Sequence, residues 1–148
     1  MSSLDMLASR QPIQKSEQAE GAAAPAIGPV LIVDDEEPIA EALAMIVGEA
    51  GYHTEVARHG REALARAQAR WPALVITDLM MPFLDGASLI AALRAEAERG
   101  SRPRAPVVVM TASSSAIVHA VGADAILLKP FDLNDVERLL RRFLPNPE

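Results

Sequence analysis

Short runs of branched apolar residues recur along the chain and are separated by stretches with helical spacing. Four of these runs occupy residues 30–33, 74–77, 107–110 and 126–128. Continuous apolar runs of about four residues, bounded by turn signals, are typical of strands buried on both faces of a parallel sheet. A fifth, loosely alternating segment at 52–57 predicts a further strand.

Helical patterns fill the intervals between these strands, which indicates right-handed βαβ units. The first predicted helix runs from Pro38 to Ala50 and the last begins after a capping Asp132. The fold class is therefore α/β, a doubly wound five-stranded parallel sheet. The remaining helices are predicted at 61–70, 88–99 and 113–121.

Each of the four apolar runs ends in a side chain suited to binding phosphate or metal. Because ligands of open parallel sheets bind beyond the carboxyl ends of the strands, these side chains are expected to converge on one pocket. They are Asp34 and Asp35 after the first run, Asp78 after the second, Thr111 after the third and Lys129 after the fourth.

Composition narrows the class of protein. The 148 residues suffice for one ordinary domain, and a net charge of -6 argues against a nucleic-acid surface. The chain has no cysteine, no visible secretory signal and no apolar run long enough to cross a membrane, so a cytoplasmic protein is expected. Residues 1–28 have the composition of a flexible extension, which leaves 29–148 as the folded domain.

The acidic residues predict a cation site. Asp34 and Asp35 repel each other, and Asp78 adds to that repulsion; a divalent ion bound by oxygen atoms, such as Mg²⁺, would neutralise the three. Lys129 can then face a phosphoryl group as a point charge, and Thr111 can donate a hydrogen bond to it. Such a set stabilises phosphoryl transfer to a carboxylate nucleophile.

Four segments, in this order, resemble one family. They are Val33-Asp34-Asp35-Glu36, Asp78-Leu79-Met80-Met81-Pro82, Thr111-Ala112 and Lys129-Pro130-Phe131, and Asp85-Gly86 fits the same pattern. Together they are similar to the receiver domain of bacterial two-component response regulators, over about residues 29–144. The combination is far more specific than any one motif.

The resemblance implies a flavodoxin-like receiver fold in which Asp78 accepts a phosphoryl group from a sensor histidine kinase or a histidine phosphotransfer protein. It also implies Mg²⁺ bound by Asp34, Asp35, Asp78 and the backbone carbonyl of Met80, with Thr111 and Lys129 on the phosphoryl oxygens. The expected protein is a stand-alone receiver that autodephosphorylates without being a turnover enzyme. It would signal to an unknown protein target, with no nucleic-acid or membrane partner, and a homodimer is possible.

Two features depart from the family pattern. Receivers usually carry Tyr or Phe three residues before the lysine, and this chain has Ile126. The interval from Thr111 to Gly122 is about one helical turn short, which predicts a shortened fourth helix at 113–121. No predicted ligand is lost by either change, but the transmission of the signal is affected.

Alternative functions stay open at this point. The acidic pocket could belong to an interaction module that works without phosphorylation. An aspartyl-nucleophile phosphatase of the haloacid-dehalogenase type would need a second acid two residues after Asp78, where the chain has Met80. A nucleotide-binding flavodoxin is disfavoured because the loop after the first strand is Asp-Asp-Glu-Glu instead of a glycine-rich cradle.

The first helix carries two apolar stripes. Ile39, Leu43, Ile46 and Ala50 are interpreted as core. A second stripe of Ala40, Ala44 and Val47 either faces a kinase's helical bundle or packs under the last helix, and the pattern does not decide between them. The last helix has apolar residues at 133, 136, 139, 140 and 143.

Overall fold

The computed structural model describes residues 27–81, 85–112 and 122–147. They form one five-stranded sheet in the order β2-β1-β3-β4-β5, and every pair of neighbouring strands is parallel. The strands are β1 (Val30–Val33), β2 (Thr54–Ala57), β3 (Leu74–Asp78), β4 (Val107–Thr111) and β5 (Ala125–Leu128). The predicted doubly wound α/β class is confirmed.

Four helices are described: α1 (Glu37–Glu49), α2 (Gly60–Ala69), α3 (Gly86–Gly100) and α4 (Leu133–Phe143). The predicted cap of the last helix is confirmed, because the side chain of Asp132 accepts from the backbone of Asp135 in a capping box. Within the described ranges, no helix has both the length and the apolar character needed to cross a membrane. The predicted short helix at 113–121 lies outside the described residues.

The sheet is covered on both faces, which explains why its strands read as continuous apolar runs. All four residues of β1 are 0–1% exposed. Val30 and Ile32 pack in one apolar cluster with α1 and α4, while Leu31 and Val33 pack in a second with α2 and α3. The predicted starts of β2, α2 and α3 differ from the observed starts by one or two residues.

The structure decides the orientation of α1. Ala40 and Val47, from the stripe left open by the pattern, are buried in the same cluster as Val136 and Leu140 of α4. This stripe therefore packs under the last helix. Of the residues interpreted as core, Leu43 is buried, whereas Ile39, Ile46 and Ala50 are only half-buried beside that cluster.

One position of the last helix is wrong in the sequence interpretation. Leu133 has the spacing of a core residue, but its side chain is 50% exposed. It is the first residue of α4, where the chain enters the helix from the strand end and lies beyond the core that Val136 and Leu140 fill.

A half-buried carboxylate connects three segments at the amino ends of the strands. Asp124, just before β5, accepts from the backbone of Val107 at 2.7 Å, from Arg104 at 2.7 Å and from Arg94 at 3.2 Å. Burial opposes the charge, but the Val107 N–H and the two guanidinium groups outweigh it and lower the pKa of Asp124. This contact connects α3, the loop before β4 and the start of β5.

Replacing Asp124 with asparagine is expected to lower the free energy of unfolding at neutral pH by about 1–3 kcal/mol, because charge-assisted hydrogen bonds are lost. Since the folded-state pKa is lowered, this contribution is present above the unfolded value of 3.8 and is lost as the pH falls through the folded value. Urea unfolding of both proteins from pH 7 to pH 3 measures it. A constant gap over that range would contradict the assignment.

Candidate functional site

The sheet topology brings the three predicted carboxylates together. Asp34 follows β1 directly and Asp78 ends β3, and these two strands are hydrogen-bonded neighbours with Val33 paired to Thr77. One carboxylate oxygen from each of Asp34, Asp35 and Asp78 lies within 4.8 Å of the others. The predicted acidic cluster therefore exists at the carboxyl edge of the two central strands.

The three carboxylates differ in their environment. Asp34 is 0% exposed, Asp78 is half-buried and Asp35 is exposed. The Glu36 N–H donates to Oδ1 of Asp34 at 2.8 Å, a local turn bond that holds the side chain toward the pocket. Among the residues that the structure describes, Oδ2 of Asp34 has no hydrogen-bond partner although it is buried.

Lys129 lies between two of these acids. Its Nζ is 3.3 Å from Oδ1 of Asp78 and 3.5 Å from Oδ2 of Asp34, and its side chain is 22% exposed. The backbone N–H of Lys129 donates to the Thr111 carbonyl at 2.9 Å. This hydrogen bond holds the main chain of Lys129 beside the end of β4. The ammonium group thus faces the pocket from the side of β5.

Burial sets the electrostatics of the pocket. It raises the pKa of Asp34 and of Asp78 against the opposing attraction of Lys129, and in Asp34 also against the Glu36 N–H. For Lys129 burial disfavours the charge, but the combined attraction of Asp34 and Asp78 outweighs it and raises its pKa. One ammonium group therefore balances only part of a crowded negative charge.

Thr111 and Met80, the two other predicted site residues, lie close to Asp78 along the sheet and along the chain. Thr111 is the last residue of β4, one position beyond Met110, which pairs with Asp78 across the sheet. Met80 lies two residues beyond Asp78, and its side chain is 76% exposed. The ligand role of its backbone carbonyl stays a prediction.

The donor set suits a hard cation. Carboxylate oxygens are the atoms that Mg²⁺ prefers, and three of them lie within reach of one ion. The buried Oδ2 of Asp34 has an unmet need for a positive or donating partner, and Lys129 at 3.5 Å meets it only in part. The residues present therefore fit a Mg²⁺ ion.

Two contributors escaped the sequence analysis. The Glu36 N–H supports Asp34, and an aspartate followed two residues later by a free backbone donor is the signal that could have shown it. Gly86 was noticed only as part of a motif, and its contact with the strand of Asp78 is visible only in three dimensions.

Ile126, at the position where the resemblance expects an aromatic residue, is half-buried in β5. It lines a groove of about 440 Å³ between β5 and α4, together with Leu128 and Leu139.

The fold and site define a class of protein: a doubly wound α/β domain that binds charged ligands at the carboxyl edge of its sheet. The family model of the response regulator receiver domain matches residues 30–141. The chain belongs to this family, the receiver modules of two-component signalling.

Relatives support the assignment. The chain is 37% identical over 121 residues to the transcriptional regulatory protein PcoR of Escherichia coli, covering 76% of this chain and 51% of that protein. It is 35% identical over 125 residues to the response regulator MprA of Mycolicibacterium vanbaalenii, covering 79% and 52%. The chain thus spans about half the length of these curated relatives.

A solved structure gives the same result for the fold. The chemotaxis response regulator CheY4 of Vibrio cholerae superimposes with a TM-score of 0.72 at 32% sequence identity. The match covers 80% of this chain and 100% of the other.

Proposed function

We propose that the chain is a phosphoacceptor receiver in which Asp78 takes a phosphoryl group from a phosphohistidine. A carboxylate oxygen of Asp78 attacks phosphorus, the bond between phosphorus and the histidine nitrogen breaks, and the nitrogen keeps the electron pair. The product is an aspartyl phosphate, which water later hydrolyses. Asp78 suits this role because it stands at the end of a central strand and is half-buried, within reach of solvent.

The charged neighbours of Asp78 supply the stabilisation that phosphoryl transfer needs. Lys129, already 3.3 Å from Asp78, would attract the phosphoryl oxygens as charge accumulates on them. Thr111, at the end of the neighbouring strand, would donate its hydroxyl to the same group. Both residues stand on the β4–β5 side of Asp78, and the acidic doublet after β1 stands on the other side.

Mg²⁺ would be held by Asp34, Asp35, Asp78 and the backbone carbonyl of Met80. When bound, it supplies positive charge that neutralises the carboxylates and the phosphoryl oxygens. The role of this chain is to keep the carboxylate oxygens together, with Asp34 fixed by burial and by the Glu36 N–H.

The partners follow from the chemistry and from the family. The donor would be a sensor histidine kinase or a histidine phosphotransfer protein in the cytoplasm, and the signal would pass to a protein target through contacts of the domain. A homodimer is a further possibility. PcoR and MprA are each about twice as long as the part that this chain matches, so their outputs are not transferred to this chain.

The bridging position of Lys129 carries the proposal. An interaction module would use this ammonium group only to balance the charge of Asp34 and Asp78, whereas in a phosphoacceptor its 3.3 Å contact with Asp78 also places it beside the incoming phosphoryl oxygens. A phosphoacceptor needs it at that place.

Asp78→Asn is expected to abolish phosphorylation, because the nucleophilic carboxylate is replaced by an amide. The protein is incubated with Mg²⁺ and a small acyl phosphate, and the covalent phosphoryl group is detected by intact mass. Asp132→Asn is the matched control, since asparagine caps a helix as well as aspartate. Full labelling of Asp78→Asn, or labelling of the wild type that persists in EDTA, would refute the proposal.

A further inference from the structure

Gly86, the first residue of α3, lies directly against the main chain of the strand that carries Asp78. A Cβ atom built on Gly86 would meet the Asp78 carbonyl oxygen at 2.8 Å and the Leu79 Cα at 3.0 Å. Both distances are shorter than ordinary van der Waals contact. The absence of a side chain is therefore what lets α3 begin at this place.

The contact has little room to relax. The Gly86 N–H donates to the Leu79 carbonyl at 3.0 Å, and the Leu79 N–H donates to the Met110 carbonyl at 3.1 Å. The side chain of Asp85 caps α3 by accepting from the Ser88 N–H at 2.9 Å. Both atoms that a methyl group would strike belong to the main chain, so no flexible side chain can turn away.

Helix propensity does not explain this glycine. Alanine is the stronger helix former, so propensity alone favours alanine in the first turn of α3. Gly48 in α1 offers a comparison within the same chain, because a Cβ atom there meets nothing within 4 Å. Steric contact therefore distinguishes Gly86 from Gly48.

We propose that Gly86 is a positioning residue for phosphoryl transfer, acting through the main chain of Asp78. It lets α3 seat against the end of β3, so that the Asp78 carboxylate keeps its 3.3 Å contact with Lys129 and its place beside Asp34. This inference rests on the proposed function of Asp78.

Gly86→Ala is expected to displace the end of β3 and to lower the rate constant for phosphorylation at saturating donor about 10-fold, since small displacements of reacting groups have large effects on rate. The donor concentration for half-saturation should change little, because no contact with the donor is removed. Gly48→Ala, the matched control, should phosphorylate at the wild-type rate.

The experiment compares wild type, Gly86→Ala and Gly48→Ala with a small acyl phosphate and Mg²⁺, at a temperature where all three are folded. A second measurement needs no activity. In metal-free protein, NMR shifts of the Asp78 carboxyl group, the Leu79 amide and the Lys129 amide should change in Gly86→Ala and not in Gly48→Ala.

A slowed Gly86→Ala with displaced Asp78 signals supports the proposal, and a wild-type rate with unchanged signals overturns it. If Gly86→Ala alone does not fold, the double variant with Gly48→Ala carries the test, because alanine in an open helical site stabilises the chain. Failure of both to fold would assign Gly86 to folding and overturn the positioning role. If the wild type is never phosphorylated, the proposed function fails, while the metal-free shifts still test the position of Asp78.

Discussion

Lys129→Met is expected to lower the rate of Asp78 phosphorylation by about 10²–10³-fold, the effect of removing one charged stabiliser of a transition state. The reason is the place of its Nζ, 3.3 Å from Asp78, where phosphoryl charge develops. The measurement is the rate of covalent labelling by a small acyl phosphate at saturating Mg²⁺. Methionine keeps much of the length of the side chain and removes its charge.

The same variant should lose stability without metal. Asp34 and Asp78 would keep their burial and lose the ammonium group between them, which costs about 1–3 kcal/mol in the free energy of unfolding. Lys15→Met removes the same charge outside the region matched by the family. It should leave the labelling rate and the free energy of unfolding unchanged. A labelling rate in Lys129→Met within a factor of two of the wild type would exclude Lys129 from the chemistry.

Asp34→Asn is expected to stabilise the metal-free protein at neutral pH and to remove its response to Mg²⁺. Burial raises the pKa of Asp34, so the folded state disfavours the ionised form. A neutral amide relieves that penalty, a gain of about 1.4 kcal/mol for each pKa unit. The amide oxygen can still accept from the Glu36 N–H, so the local turn survives.

The pH dependence of this gain has a defined sign. Because the folded-state pKa is raised, the ionised wild type is penalised at any pH above the folded value, and the penalty disappears as the pH falls to the unfolded value of 3.8. The advantage of Asp34→Asn should therefore be larger at pH 7 than at lower pH and vanish near pH 4. Urea unfolding across that range measures it.

Mg²⁺ gives the complementary result. Wild-type protein should gain about 2.7 kcal/mol in the free energy of unfolding when Mg²⁺ is 100 times its dissociation constant. Asp34→Asn should gain far less, while the cap variant Asp132→Asn should respond as the wild type does. Equal Mg²⁺ stabilisation of Asp34→Asn would show that the ion binds elsewhere.

The strands were predictable because both faces of the sheet are buried. Continuous apolar runs at β1, β3 and β4 leave little choice of structure, and the turn residues after them mark their ends. The edge strand β2 was less clear: its start was placed at Tyr52 instead of Thr54, because its residues are mostly half-buried and the pattern there is weak. Terminal residues of helices shifted by similar amounts.

The candidate site was predictable in position and less so in detail. Parallel topology alone places Asp34, Asp78 and Thr111 at one edge, whatever their exact distances. The sequence does not reveal that Asp34 is fully buried while its neighbour Asp35 is exposed. That difference depends on how the chain turns after β1.

Contacts distant in sequence account for what could not be predicted. Asp124 lies 30 residues from Arg94, and nothing in the local pattern of either residue indicates the ion pair. The placement of the second apolar stripe of α1 also depended on a helix almost a hundred positions further on. The need for glycine at position 86 could not be predicted either, because it arises from close contact with the Asp78 carbonyl oxygen in the folded chain.

The central claim is that the carboxyl edge of β1, β3, β4 and β5 forms one Mg²⁺-dependent phosphoryl site. The most direct measurement is an NMR titration of isotope-labelled protein, first with Mg²⁺ and then with beryllium fluoride, which mimics a phosphoryl group. We expect Mg²⁺ to shift Asp34, Asp35 and Asp78, and beryllium fluoride then to shift Thr111 and Lys129. Absence of these shifts in folded protein, or beryllium fluoride effects without Mg²⁺, would contradict the account.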